Sequence, residues 1–164
     1  MALTKINNNT LSSAGIATGK VLKVEKFINQ HDVTSTSTSF STFETFSFTP
    51  TSASSTIYFH LALQYQLYGN ASATNADGCV QIVSEATGSD VIISAQDFVI
   101  SNIFNTNTAY EEQSGSIAGS QASQGTSAFN INLRFKINSS GRIRVFPSDG
   151  TKVNPITLTV TEVI

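Results

Sequence analysis

No lysine or arginine occurs between Phe27 and Leu133, although that stretch holds every acidic residue except Glu25, Asp149 and Glu162. The basic residues flank it: Lys5, Lys20, Lys23 and Lys26 before, then Arg134, Lys136, Arg142, Arg144 and Lys152 after. The middle therefore carries −8 formal charge and each end about +3, which together give the net −2. Such an asymmetry bears on partners and assembly rather than on fold. Basic ends can meet acidic surface on the same molecule or on a neighbour, or they can be two basic strands paired in one sheet.

Charge of either sign is scarce, at 12% of residues, about half the usual fraction. Ser, Thr and Asn, 56 of the 164 residues, carry the polarity instead. Hydroxyl side chains keep a strand surface wet without charge, and Thr also favours strands. Tryptophan is absent, but 40% hydrophobic content with eleven Phe supplies a core and argues against disorder. The single cysteine, Cys79, rules out an intramolecular disulfide framework and reads as a small buried apolar side chain.

The N-terminus has no apolar run of the kind a secretory signal needs. The apolar stretch from Ile57 to Leu67 alternates with His60, Gln64 and Gln66 and is too polar for a membrane helix. A membrane barrel would also alternate, but no export signal or aromatic girdle is visible. The expectation is synthesis in a cytoplasm, with no membrane partner.

Catalytic signatures are missing as well. Only His31 and His60 could act as a triad base, His31 in a loop beside Asp32 and His60 on a strand face opposite the core. No G-x-S-x-G elbow, zinc spacing, Asp-rich calcium loop or Gly-rich phosphate loop is present. The reading is a non-enzyme without cofactor or metal. Arg134, Lys136, Arg142 and Arg144 are expected to cluster on one hairpin, too weak a footprint on an acidic domain for nucleic acid.

What is present is period-two alternation, the mark of half-buried strands. Thr56–Tyr68 is the clearest case: Ile57, Phe59, Leu61, Leu63, Tyr65 and Leu67 face one way, with Tyr58, His60, Ala62, Gln64 and Gln66 opposite. A slip of one residue would put all six large groups in water, so this register is firmly specified. Residues 127–137 alternate as cleanly, with Phe129, Ile131, Leu133, Phe135 and Ile137 inward. Residues 20–29 read as a strand with Leu22, Val24 and Ile28 on one face, and 39–49 as another with Phe40, Phe46 and Phe48 on one face. Short strands are expected at 79–84, 90–94, 97–104 and 142–146, the last in a hairpin with 127–137, and a final one carries Ile156, Leu158 and Val160. Residues 105–127 are rich in Asn, Ser, Gly and Gln and read as a long functional or poorly ordered loop. Together these predict an all-β, jelly-roll-like β-sandwich of about eight strands over residues 19–164. Residues 1–18 read as an extended N-terminal arm with isolated Leu3, Ile6, Leu11 and Ile16.

Several segments carry a family resemblance. Met1–Asn8 leads through the arm into Ala17-Thr18-Gly19-Lys20-Val21-Leu22, and Thr34–Phe40 is Ser/Thr-rich. A strand entry follows at Phe48-Thr49-Pro50-Thr51-Ser52-Ala53-Ser54-Ser55-Thr56-Ile57, and the chain closes on Ile156–Ile164 with Glu162-Val163 near its end. The pattern resembles small structural proteins encoded by marine tailed bacteriophages, including those of cyanobacteria. The resemblance implies a jelly-roll virion protein, a capsid-decorating or fibre/adsorption-apparatus component that assembles as a homotrimer with other virion proteins. It implies no catalytic residues. The expected particle anchor is the arm, through Leu3, Lys5, Ile6, Leu11 and Ile16. The alternative is a glycan- or host-receptor-binding module at a fibre tip, drawing on Asn102–Ser127, Tyr68 and Tyr110.

Overall fold

A computed structural model describes residues 19–30, 32–68, 75–101, 110–138, 141–145 and 155–164. The anchoring arm with Leu3, Lys5, Ile6, Leu11 and Ile16, and also His31, lie outside the described residues. Among these residues ten strands run in chain order: β1 Val21–Asn29, β2 Val33–Ser35, β3 Ser41–Phe48, β4 Thr56–Tyr68, β5 Asn75–Ser84, β6 Val91–Ser101, β7 Tyr110–Ala122, β8 Phe129–Ile137, β9 Arg142–Val145 and β10 Ile156–Val163. No helix occurs among the described residues.

Every pairing is antiparallel. One sheet runs β1-β10-β4-β7 and the other β3-β8-β5-β6. Successive strands swap sheets at β2→β3, β3→β4, β4→β5, β6→β7, β7→β8 and β8→β9, which is jelly-roll connectivity. The short strands β2 and β9 extend the first sheet: β9 pairs with β4 at Tyr65–Tyr68, beyond the reach of β10, and β2 pairs with β9. They raise the count from the expected eight or so to ten.

The inward sets of β4 and β8 fall where alternation puts them. Ile57, Phe59, Leu61, Leu63, Phe129, Ile131, Leu133 and Phe135 are all buried in one core with Ile156, Leu158 and Val160 of β10. Burying each large side chain contributes roughly 1.5–3 kcal/mol before entropy is counted.

Five expectations differ from the structure. In β1 a bulge between Val21 and Lys23 resets the parity. Phe27 turns inward and stacks on Phe46 of the facing sheet at 5.0 Å, while Val24 and Ile28 stand in solvent, 60% and 54% exposed. A second bulge, between Thr42 and Glu44, sends Phe43 in against Phe135 and leaves Phe40 beside Lys136 rather than in the core.

Residues 110–122 are not a loop but β7, paired with β4 from Thr56↔Ala122 to Tyr68↔Tyr110. Its inward positions Gln113, Gly115, Ile117, Gly119 and Gln121 include one large apolar residue, so hydropathy alternation gave no signal. What makes it a strand is the long open edge of β4, whose buried backbone groups need partners. Its small residues also let the sheets close: a Cβ on Gly119 would lie 2.8 Å from both the carbonyl oxygen and Cγ2 of Ile93 in β6.

The expected hairpin between 127–137 and 142–146 does not form. β8 belongs to one sheet and β9 to the other, with Gly141 at φ 139° in the connection. Likewise the two short strands expected at 90–94 and 97–104 are one strand, β6, paired along β5.

Candidate functional site

Three groups of the described residues carry polar chemistry. The first is the outer face of β1-β10-β4-β7. Cross-strand rows there read Val24–Thr161–Tyr58–Ser120, Lys26–Thr159–His60–Ala118 and Ile28–Thr157–Ala62–Ser116. Lys26 is the single Lys, Arg, Asp or Glu in these rows, on a chain whose middle carries −8. Tyr58 is 49% exposed, and it and His60 line a shallow groove of ≈ 400 Å³ walled by Ala118 and Ser120 on one side and Thr159 and Thr161 on the other. His60 thus lies on the solvent face, as alternation predicts, among hydroxyl and methyl groups.

The second is Glu162, fully buried at an inward position of β10. Its carboxylate accepts from the Ser55 hydroxyl at 2.7 Å, the Thr51 hydroxyl at 2.7 Å, and the amides of Thr51 and Ser52 at 2.9–3.0 Å. Burial pushes this carboxyl up, but the Ser55 and Thr51 hydroxyls and the two amides outweigh it and bring the group down to about 2. The result is an ionised clasp that locks the loop from Pro50 to Ser55 onto the last strand. Chemically it is closed, because its oxygens are engaged from within. The sequence reading did not single it out, although its parity with Ile156, Leu158 and Val160 was a signal that could have; the partner loop gave none.

The third lies at the opposite end of β4. Arg144 of β9 donates from Nε to Asp32 Oδ1 at 2.8 Å and Oδ2 at 3.0 Å, and from Nη2 to Oδ2 as well. Its Nη1 reaches Gln66 Oε1 and Tyr68 Oη, both at 3.3 Å, while Tyr68 Oη donates to Gln66 Oε1 at 2.6 Å. Hydrogen bonding to Asp32, then to Tyr68, raises Arg144 above its already high ordinary value. The Arg142 guanidinium stacks on the Tyr68 ring, 3.8 Å from its centroid. Gln66 and Tyr68 are buried beneath these arginines.

The four arginines and lysines expected on one hairpin are therefore divided. Arg134, paired with Asp90 at 2.6 Å, and Lys136 lie on β8 in one sheet, and Arg142 and Arg144 on β9 in the other. Cys79 is buried, and burial, followed by hydrogen bonding to Asp97, pushes its thiol up to about 11. Among the described residues no three His, Cys, Asp or Glu side chains gather as metal ligands. Of the tyrosines expected at a binding surface, Tyr68 is buried in the arginine network, and the Tyr110 side chain lies outside the described residues.

The fold and these surfaces define a β-sandwich of jelly-roll connectivity with one charge-poor sheet face. No protein-family model matches the chain, and no curated protein matches it. Among solved structures it is similar to the dimeric latent PorU of Porphyromonas gingivalis, at 10% identity and TM-score 0.48, over 90% of this chain and 14% of that one. It is also similar to a CocE/NonD family hydrolase of Staphylococcus aureus, at 6% identity and TM-score 0.42, over 88% of this chain and 33% of that one. The chain thus spans a small part of each, and at these values neither likeness bears on what it does.

Proposed function

We propose that this chain is a bacteriophage virion structural protein, a capsid-decorating or fibre/adsorption-apparatus component that works as a homo-oligomer rather than as an enzyme. The observation that carries the reading is the outer face of β1-β10-β4-β7. Val24, Ile28 and Tyr58 stand exposed there among Thr, Ser and Ala, with Lys26 as the single charge in the three rows. Elsewhere the acidic middle segment would set like charges against each other if two copies met. On this face two copies can meet without that repulsion and cover apolar surface at the same time. Lys26 and the arm's Lys5 add attraction toward acidic surface on a neighbouring copy, whereas Lys23 is engaged within the chain by Glu25. Two of the segments that carry the phage resemblance are also physically joined, since the Pro50–Ser55 loop is held by Glu162 of the terminal strand.

Native mass spectrometry of the full chain at micromolar concentration tests the reading, with a trimer as the expected species. Val24→Glu with Ile28→Glu should shift it to monomer while circular dichroism stays unchanged. A monomeric parent protein would overturn self-association. Deleting residues 2–16 should leave the sandwich folded and abolish incorporation into particles, read as copy number in purified virions.

A further inference from the structure

Five strands stand at sheet edges among the described residues, and four of them carry a device against pairing with another chain. β1 has the bulge at Leu22 and the charges Lys23, Glu25 and Lys26; β3 has the bulge at Phe43 and the charge Glu44; β6 has a bulge at Ile93 and the charge Asp97. β2 is only three residues long. β7 has none of these protections. It runs for 13 residues in unbroken register with β4 and pairs with no other strand among the described residues. From Gln113 to Ala122 it holds neither charge nor proline. Ser114, Ser116, Ala118 and Ser120 are small and exposed, so a strand alongside meets no bulky neighbour. In an edge strand alternate backbone N–H and C=O groups point away from the paired strand and can bind another.

The segment that matches this edge is the arm. Residues 6–18 hold neither charge nor proline, and Lys5 is the one charged side chain before Lys20, as Glu111 and Glu112 are the only ones in β7. The spacing agrees as well. With Lys5 set against Glu111 in a parallel pairing, Leu11 falls beside Ile117, the one large apolar residue on the inward side of β7, and Ile16 reaches Ala122 at its end. An arm of the same copy is too short for that register. β1 starts level with Ala122, through Val21↔Val163, Val163↔Thr56 and Thr56↔Ala122. To lie beyond β7 its arm must first pass β10, β4 and β7, about 19 Å at about 4.8 Å per strand or about six residues. Its Lys5 then stops about three residues short of Glu111.

We propose that residues 5–16 of one copy add as a further strand along β7 of the next, each copy giving its arm to one neighbour and receiving another's. The proposal rests on the homo-oligomer reading and names the acidic surface that Lys5 meets. Backbone hydrogen bonds along the edge supply the attachment, and the Lys5–Glu111 and Leu11–Ile117 pairs set its register. Head-to-tail exchange of this kind closes into a ring, as a trimer requires. β7 lies at the opposite edge of the sheet from Val24 and Ile28 of β1, so the arm contact and the face contact are tested by different residues.

The test is hydrogen–deuterium exchange of the full chain over a dilution series from about 100 to about 0.1 µM, with native mass spectrometry of the same samples. Alternate amides between Ser114 and Ala122 should exchange about tenfold more slowly at the concentrated end, while the edge amides of β1 and β3 stay unchanged. Lys5→Glu should raise the concentration needed for this protection about tenfold, and so should Glu111→Lys with Glu112→Lys. The three substitutions together should restore it, and circular dichroism of each variant checks that the sandwich is intact. Lys5→Cys with Glu111→Cys, oxidised, should give covalent dimers and larger species on a non-reducing gel, because paired strands bring Cα atoms within disulfide reach. Cross-linking within single chains would overturn the exchange between copies. An oligomer whose β7 amides stay unprotected, or a charge reversal that does not restore protection, would overturn the proposal and leave self-association standing. A monomer throughout the series would overturn both.

Discussion

The hydroxyl of Ser55 donates to Oε1 of Glu162 across 2.7 Å, joining residues 107 positions apart in the chain. With Thr51 and Ser52 it turns a buried carboxylate, normally a liability, into a fastener between the β3–β4 loop and the last strand.

The fastener has a pH signature. A folded-state value of about 2 against an ordinary 4.5 corresponds to about 3 kcal/mol in favour of the folded state. Because the folded value is the lower one, this stability is fully present above pH 4.5 and is lost as pH falls toward 2. Urea unfolding followed between those limits should therefore show a steeper loss for the parent than for Glu162→Gln. At pH 7 that variant should be less stable by several kcal/mol, since its amide NH2 faces donors. Parallel pH curves for the two proteins would dismiss the clasp.

Gly119 is a second point of leverage. A methyl group there meets the Ile93 carbonyl oxygen as well as its side chain, both at 2.8 Å, and a backbone atom in a paired strand cannot step aside. Gly119→Ala should cost about 1–3 kcal/mol. Trimming Ile93 to Ala in the same chain should recover little, because the carbonyl stays in place. Denaturant midpoints of the single and double variants check this.

Cys79 should be almost inert in the folded protein. With its thiol raised to about 11, the thiolate fraction at pH 8 is about 0.1%, against about 20% for a free cysteine. Reaction with an aromatic disulfide reagent should be slower than in the urea-unfolded chain by more than about 100-fold. A fast native reaction would mean that the thiol is reached without unfolding.

Leu61→Asp puts an unpaired carboxylate at the fully buried centre of β4. The cost is several kcal/mol, comparable with the whole stability of a domain, and the variant should be unfolded by circular dichroism. A cooperative transition near that of the parent would mean that the β4 register is wrong.

The charge-poor face was half legible. Alternation in Thr56–Tyr68 placed Tyr58 and His60 outward, but in residues 20–29 it set Leu22, Val24 and Ile28 on one face, which a bulge breaks, with Phe27 turned in to stack on Phe46 and Val24 and Ile28 turned out. The arginine site was not legible at all. Its five parts, Asp32, Gln66, Tyr68, Arg142 and Arg144, come from β4, β9 and the residue before β2, and the apparent hairpin pointed to Arg134 and Lys136 as companions of Arg142 instead.

By itself the sequence determined which strands have a core face: β4, β8 and β10 alternate so regularly that any other register would expose most of the core. That information is local, because a period of two needs only the pleat and the cost of apolar surface in water. It also determined that charge would be scarce on whatever surface formed. Tertiary structure alone decided what depends on a second segment arriving from far along the chain. β7 became a strand because β4 had an edge to fill, β1 chose its face because Phe46 was waiting, and β8 and β9 parted because jelly-roll connectivity sends them to opposite sheets. Hydrogen-bond partners and packing surfaces are properties of pairs of segments, and no window along one segment contains them.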